Sequence, residues 1–312
     1  MNRPKLIVLT GPTAVGKTAL SISLARAVGG EIISADSMQV YRGMDIGSAK
    51  IRPDEMQGIP HYLIDILDPR EAFDIVQFQK LAREAMEKIY AAGHIPILTG
   101  GTGFYIQSVV YDIDFAQDDG DTAYRRTLEA DPDPEKLHRM LEEVDPQSAS
   151  MIHANNIKRT IRALEFYHQT GRRISEHNAE EREKESPYNF AYFVLNDDRA
   201  RVYERIDTRV DQMMAEGLEE EVKRLRDDGM TPDMVSMKGL GYAELLHYLD
   251  GEYPLSEAVR LIKRNTRHFA KRQITWFKRE KEVTWIDRGR YGDDEQKILA
   301  AMLEVLREKG II

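Results

Sequence analysis

A short run of apolar and β-branched residues, Lys5 to Thr10, stops at Gly11 and opens the octapeptide Gly11-Pro12-Thr13-Ala14-Val15-Gly16-Lys17-Thr18. The next stretch, residues 17–28, carries Leu20, Ile22, Leu24 and Val28 among Ala and Ser, which reads as strand, turn and helix. In that setting the pattern G-x-x-x-x-G-K-[ST] has a physical cause. Its glycines allow backbone angles that turn successive N–H groups toward an anion. The helix start adds partial positive charge, Lys17 a mobile cation, and Thr18 a hydroxyl placed to ligate Mg²⁺. Residues 11–18 are therefore the expected diphosphate or nucleotide site, ATP-binding being its ordinary use, with Thr18 the expected metal ligand. The loop specifies a polyphosphate and leaves the reaction open. Nucleotide hydrolysis, phosphoryl transfer and departure of a pyrophosphate all need the same cradle.

The alternation then repeats along the chain. Strand-like runs appear at 31–35, 62–66 and 94–99, with a helical pattern at 76–92, and the last strand runs into Gly100-Gly101-Thr102-Gly103. Strands alternating with helices predict a parallel sheet covered on both faces, with ligands along its carboxyl edge. From about residue 114 to 188 the chain is charged, helix-forming and punctuated by Pro132, Pro134 and Pro146. The predicted fold is α/β, a P-loop NTPase-like parallel-sheet core (1–113 and 189–312) interrupted by an all-helical insertion. After 189 the patterns predict a strand at 190–195 and helices at 199–228, 240–249, 255–280 and 292–308.

Asp36 ends the second predicted strand, which brings it beside the phosphate loop. A carboxylate there either takes a proton from an N–H or O–H nucleophile, or caps the following turn together with Ser37. Gln39, Tyr41, Arg42 and Lys50 are either pocket lining or ordinary surface.

The chain has 312 residues, 42% of them hydrophobic, enough for a large core, and no apolar run approaches the roughly 20 residues that span a bilayer. With no cysteine, disulfides, thiolate metal sites and thiol nucleophiles are excluded together; this fits a reducing compartment, and the cytoplasm is expected. A formal net charge of −9 argues against a surface that coats nucleic acid, so any RNA contact must be local, where the 44 basic residues cluster. One cluster is 258–281, where Arg260, Arg264, Arg267 and Lys271 share a helical face opposite Val259, Ile262, Phe269 and Trp276. Another is Lys158, Arg159 and Arg162, with Arg172 and Arg173 beyond; Arg125 and Arg126 are similar in kind. Each reads either as an RNA-tracking stripe or as a solvated, ion-paired face.

The segments GPTAVGKT, SADSMQVYRGMDIGSAK, PHYLIDILDP, GGTGFYIQSV, NIKRTIRALE, KGLGYAEL and NTRHFAKRQITWFKR, in order between residues 11 and 279, resemble the bacterial tRNA dimethylallyltransferase family. The resemblance implies transfer of dimethylallyl from its diphosphate to N6 of the adenosine 3′ of the anticodon, with Mg²⁺ and release of pyrophosphate. It implies Asp36 as base, Lys17 and Thr18 as catalytic groups on the leaving diphosphate, and Thr13 and Arg209 as diphosphate contacts. It also implies tRNA contacts at Asp36, Ser37, Met38, Gln39, Thr102, Arg125, Lys158, Arg159, Thr160, Ile161, Arg162 and Arg272. The insertion would grip the anticodon stem-loop, the partners would be tRNA and dimethylallyl diphosphate, no membrane is involved, and a monomer is expected. For Arg209 the residues themselves leave a second reading, a solvated helix position paired with Asp207 or Asp211. Phe104 and Tyr105 read either as base-stacking platforms or as core. Two rivals share the loop: a small-molecule kinase, which needs a lid arginine and an adenine pocket, and a nucleotide-switched RNA-binding protein without chemistry.

Overall fold

The computed structural model describes residues 3–115 and 122–312, in two compact units, 1–110 with 187–312, and 111–186. In chain order the first unit begins with β1 (Lys5–Thr10), α1 (Lys17–Val28), β2 (Gly30–Ala35), β3 (His61–Tyr62), α2 (Ile75–Ala91), β4 (Ile95–Gly100) and α3 (Gly103–Val110). The second unit holds α4 (Thr122–Ala130), α5 (Pro134–Val144), α6 (Pro146–Met151), α7 (Ile157–Thr170) and α8 (Ile174–Glu183). The first unit then resumes with β5 (Asn189–Asn196), α9 (Arg199–Ala215), α10 (Leu218–Asp227), α11 (Tyr242–Leu249), α12 (Leu255–Phe277), β6 (Val283–Asp287) and α13 (Glu295–Glu308).

The six strands form one sheet in the order β3-β2-β4-β1-β5-β6, and every pairing is parallel. Leu6 to Leu9 on the central strand are fully buried, as both faces of a helix-covered parallel sheet require. The register sets Thr10 opposite Gly100 and Val194, and Ala35 opposite Gly100. The ends of β1, β2, β4 and β5 therefore lie side by side, and the phosphate loop, Asp36, the 100–103 glycine turn and Asp197 all leave the sheet from that one edge.

Three expectations change. The strand foreseen at 62–66 is only His61–Tyr62, because Leu63 and Asp65 turn to positive φ (64° and 55°) and break the pairing. The helix foreseen over 199–228 is two, divided at Gly217, whose φ of 99° no helix interior accepts. Val283–Asp287 forms an edge strand that the flanking charges concealed, pairing Asn196 with Asp287.

The second unit has its own small core, with Leu137, Leu141, Ile161 and Leu164 buried. The stretch 116–121 of the expected insertion lies outside the described residues. A single carboxylate organises this unit. Asp145, 1% exposed, accepts hydrogen bonds from Ser148 N (3.0 Å), Ser148 Oγ (2.7 Å), Ser175 N (3.0 Å) and Ser175 Oγ (2.6 Å). Burial pushes its pKa up, but the four donors outweigh burial and hold it below the usual carboxylate value. Replacing Asp145 by Ala strands those donors in the interior and is expected to destabilise the unit by about 3 kcal/mol. Hydrogen exchange would show the loss as deprotection confined to residues 122–186.

Candidate active site

The phosphate loop is held open from outside. Ala14 takes a left-handed conformation (φ 61°), unusual for a residue with a Cβ, and Gly16 follows at φ 95°. Arg205 Nε donates to Ala14 O (3.0 Å) and Arg288 Nη1 to Val15 O (3.3 Å). Across a planar trans peptide the C=O and the next N–H point opposite ways, so holding these two carbonyls directs the amides of Val15 and Gly16 away from the arginines. The arginines are themselves fixed by carboxylates: Arg205 by the buried Asp197 (2.5 Å), Arg288 by Asp293 (3.1 Å), and Arg201 by both Asp197 (3.5 Å) and Asp293. The amides of Ala14, Val15, Gly16, Lys17 and Thr18 donate to no protein acceptor among the described residues, as expected of an anion nest opening a helix.

Three charges converge on this nest. Lys17 Nζ donates to Gly11 O (3.0 Å) and Pro12 O (2.8 Å). Burial, then the Arg209 charge, lower its pKa to about 7, while Asp36 raises it. Burial pushes the Asp36 carboxyl above its ordinary value, opposed by the amides of Met38 and Gln39 and by Lys17. Arg209, lowered by burial, has no ion-pair partner among the described residues, since Asp207 pairs with Arg267 (2.5 Å) and Asp211 with Lys263 (2.6 Å). Two half-buried cations to one carboxylate make the pocket a site for an anion. The value for Lys17 sets a pH test. An anion on the loop favours the protonated amine, so above about pH 7 binding must take up a proton, and affinity falls as pH rises through that value. Calorimetric titration of pyrophosphate at pH 8, in two buffers of different ionisation enthalpy, should report uptake approaching one proton.

Asp36 is also a cap. Its Oδ1 accepts from Met38 N (2.8 Å) and Gln39 N (3.3 Å), which leaves Oδ2 free of those two bonds. The loop it starts is braced along its length. Gln39 Nε2 reaches the carbonyls of Ser48 (3.4 Å) and Ala49 (3.3 Å), and Glu221 on α10 accepts from the amides of Asp45 (2.9 Å), Ile46 (2.9 Å) and Gly47 (3.2 Å). Met38 packs against Gly239, and Ser37 is half-buried at the turn. Lys50 belongs to this bracing: its ammonium bonds Tyr41 O (2.6 Å), Asp45 and Asp65.

The glycine turn after β4 lies close against the neighbouring helix. A Cβ on Gly101 would fall 2.2 Å from Gln273 Nε2, and one on Gly103 would fall 2.2 Å from Trp276 Cδ1, both on α12. Thr102 is half-buried between these contacts, and its N–H donates to Ala35 O (3.3 Å). Tyr105 is core, stacked on Phe78 with centroids 4.4 Å apart; Phe104 is 43% exposed and tilted against Trp276 at 5.9 Å.

The basic stripe on α12 is shorter than its sequence suggests. Of its four residues Arg260 pairs with Glu257 (2.6 Å) and Arg267 with Asp207, and the nearby Lys263 pairs with Asp211, so two of the four are neutralised. The second half of the helix presents Lys271 and Arg272, which with Arg279 just beyond the helix and with His268, Thr275 and Trp276 line a groove of about 380 Å³. In the second unit, Arg125 and Arg162 both pair with the buried Glu165 (3.3 and 3.2 Å), Arg172 pairs with Glu180 and Arg173 with Glu176. Thr160 and Ile161 lie inside the core of α7, and Lys158 and Arg159 are exposed at its start.

Residues 39–280 match the IPP transferase family. Over 98% of this chain and 99% of the relative's, the sequence is 56% identical to the tRNA dimethylallyltransferase of Lachnoclostridium phytofermentans, and it is 48% identical to that of Geobacillus thermodenitrificans over 97% and 95%. The chain belongs to the IPP transferase family. Among solved structures, the full-length tRNA isopentenylpyrophosphate transferase of Bacillus halodurans superposes with a TM-score of 0.74 at 42% identity, covering 99% of this chain and 98% of that one. A eukaryotic dimethylallyltransferase acting on tRNA matches at a TM-score of 0.81 and 30% identity, over 91% of this chain and 74% of that one. In this member of the family, the residues that sequence reading overlooked are those that hold the loop in place: Arg205, Asp197, Arg288 and Gln273. For Gln273 a signal was available, since a glutamine at the spacing of Ala270 and Phe277 falls on the buried stripe of α12.

Proposed function

We infer that this chain transfers the dimethylallyl group of dimethylallyl diphosphate to N6 of the adenosine immediately 3′ of the anticodon in tRNA, releasing pyrophosphate. The observation that carries this reading is Asp36, a half-buried carboxylate with a raised pKa beside Lys17 at the edge of an anion nest, in a chain of this family. The diphosphate lies on the amides of Ala14 to Thr18, with Lys17 and Arg209 against its charge. The bond between the allylic carbon and its oxygen breaks, and the electron pair leaves with pyrophosphate, where the loop's donors stabilise it. The adenine N6 forms the new bond to that carbon and gives its surplus proton to Asp36, whose raised pKa suits it to that task. Thr13 would contact the diphosphate and Thr102 the tRNA.

Mg²⁺ is the expected cofactor. The described residues contain no cluster of three or more acidic or imidazole groups that could hold a metal, and Thr18 is exposed with no partner for its hydroxyl. The Thr18 hydroxyl would hold the ion. Bound there, it would neutralise charge on the leaving group. The anticodon stem-loop would meet Lys271 and Arg272 on α12 and Arg279 just beyond it, and Lys158 and Arg159 at the head of α7, with Ser37, Met38 and Gln39 at the acceptor loop. No helix among the described residues is long and apolar enough to cross a membrane, and we place the enzyme in the cytoplasm as a monomer.

Incubation with Mg²⁺, unmodified tRNA and radiolabelled dimethylallyl diphosphate, in parallel with γ-labelled ATP, tests the reading. Label should enter tRNA at the adenosine beside the anticodon. Phosphate transfer from ATP without prenyl transfer would replace this reading with the kinase.

A further inference from the structure

Of the amides that open the phosphate loop, one is already taken. Pro12 has no N–H, so Thr13 carries the first amide after Gly11, and it donates to Gln273 Oε1 at 2.9 Å. The other end of the same carboxamide, Nε2, donates to Gly101 O at 3.0 Å. Gln273 is 5% exposed, and both ends of its amide are used, so the side chain is locked across the gap between the loop and the glycine turn. Gly101 must be glycine for this to happen, because a Cβ there would overlap Nε2. The five amides from Ala14 to Thr18 form a cradle for two phosphoryl groups. A third group needs donors beyond that run, and the next along the loop is the amide of Thr13.

We propose that Gln273 is a specificity-determining residue that restricts the loop to diphosphates by occupying the Thr13 amide and the space before it. A triphosphate reaching that point meets a carbonyl oxygen in place of an N–H donor. The anionic oxygens of a third phosphoryl group would then face a lone pair, and discrimination rests on repulsion and a missing bond. The inference uses the proposed function only in taking the loop's ligand to be a diphosphate. It predicts that this member of an ATP-type loop class binds ATP poorly.

The test compares pyrophosphate and tripolyphosphate, each with Mg²⁺, titrated calorimetrically against the full chain and its variants. The wild type should favour pyrophosphate. Gln273→Ala frees the Thr13 amide and should shift the ratio of affinities toward tripolyphosphate by roughly tenfold or more, the worth of one hydrogen bond to a charged group. Gln273→Ser, too short to reach Thr13, should do the same and stands in if the alanine variant melts early. Gln273→Glu keeps an acceptor on Thr13 and should leave the ratio at or below that of wild type. A purely structural glutamine would weaken both anions together; an unchanged ratio in folded Gln273→Ala and Gln273→Ser would overturn the proposal, as would a ratio raised by Gln273→Glu. Because no RNA or prenyl donor enters this experiment, a failure of prenyl transfer leaves its result standing, and the reverse holds too.

Discussion

Asp36→Asn should reduce the rate of prenyl transfer by about 10² to 10⁴ while leaving the melting temperature where it was. Asparagine keeps the side-chain oxygen that accepts from Met38 N and Gln39 N, so the turn stays capped and the acceptor loop keeps its path. What it removes is the basicity of the group. Asp36→Ala removes both, and should lose about 1 kcal/mol of stability in addition to activity. The pair of variants therefore separates the two readings that the sequence left open for this residue. The pH profile supplies a second readout. Since burial raises the carboxyl above its ordinary value, the wild-type single-turnover rate should fall on the acid side at a pH higher than a free carboxylate would give, and rise as Asp36 ionises. The asparagine variant should lack that limb. Equal melting temperatures with equal rates would remove Asp36 from the chemistry and leave it as a cap.

The phosphate loop and Asp36 were legible because each combines a local pattern with a strand end, and a parallel sheet brings strand ends together whatever the rest of the chain does. Charge was less legible. Arg267 looks like part of an RNA stripe until α9 is packed alongside, because Asp207, which neutralises it, lies 60 residues earlier in the chain. The same long-range pairing removes the bland reading of Arg209, whose sequence neighbours are taken by other partners. The glycine turn at 100–103 was opaque in another way: the space its glycines leave is filled by Gln273 and Trp276, 172 or more residues away in sequence. Arg205 and Arg288 escaped notice for the same reason. Their task is to bond two carbonyls of a loop nearly two hundred residues or more distant, and no local pattern carries that information.

Lys17→Met should cut kcat/KM for the prenyl donor by roughly 10³, the upper range for loss of one donor to a developing anion, and the loss should fall mainly on kcat. The reasoning turns on what else is in the pocket. Arg209 remains, so some ground-state affinity for the diphosphate survives, but Lys17 is the mobile cation able to follow charge from the bridging oxygen onto the leaving group. In the free enzyme its amine is held by the carbonyls of Gly11 and Pro12, contacts it can exchange for phosphate oxygens without moving the loop. Methionine matches the aliphatic stem, so the packing persists and the fold should be unaffected. Removing the Lys17 charge also relieves Asp36 of the cation that lowers its pKa, and the acid limb of the residual activity should move to higher pH. Proton uptake on binding pyrophosphate at pH 8, expected of the wild type, should disappear in this variant, because the group that titrates near 7 is gone. Retained uptake would assign that proton to another group and detach Lys17 from the pH dependence of binding.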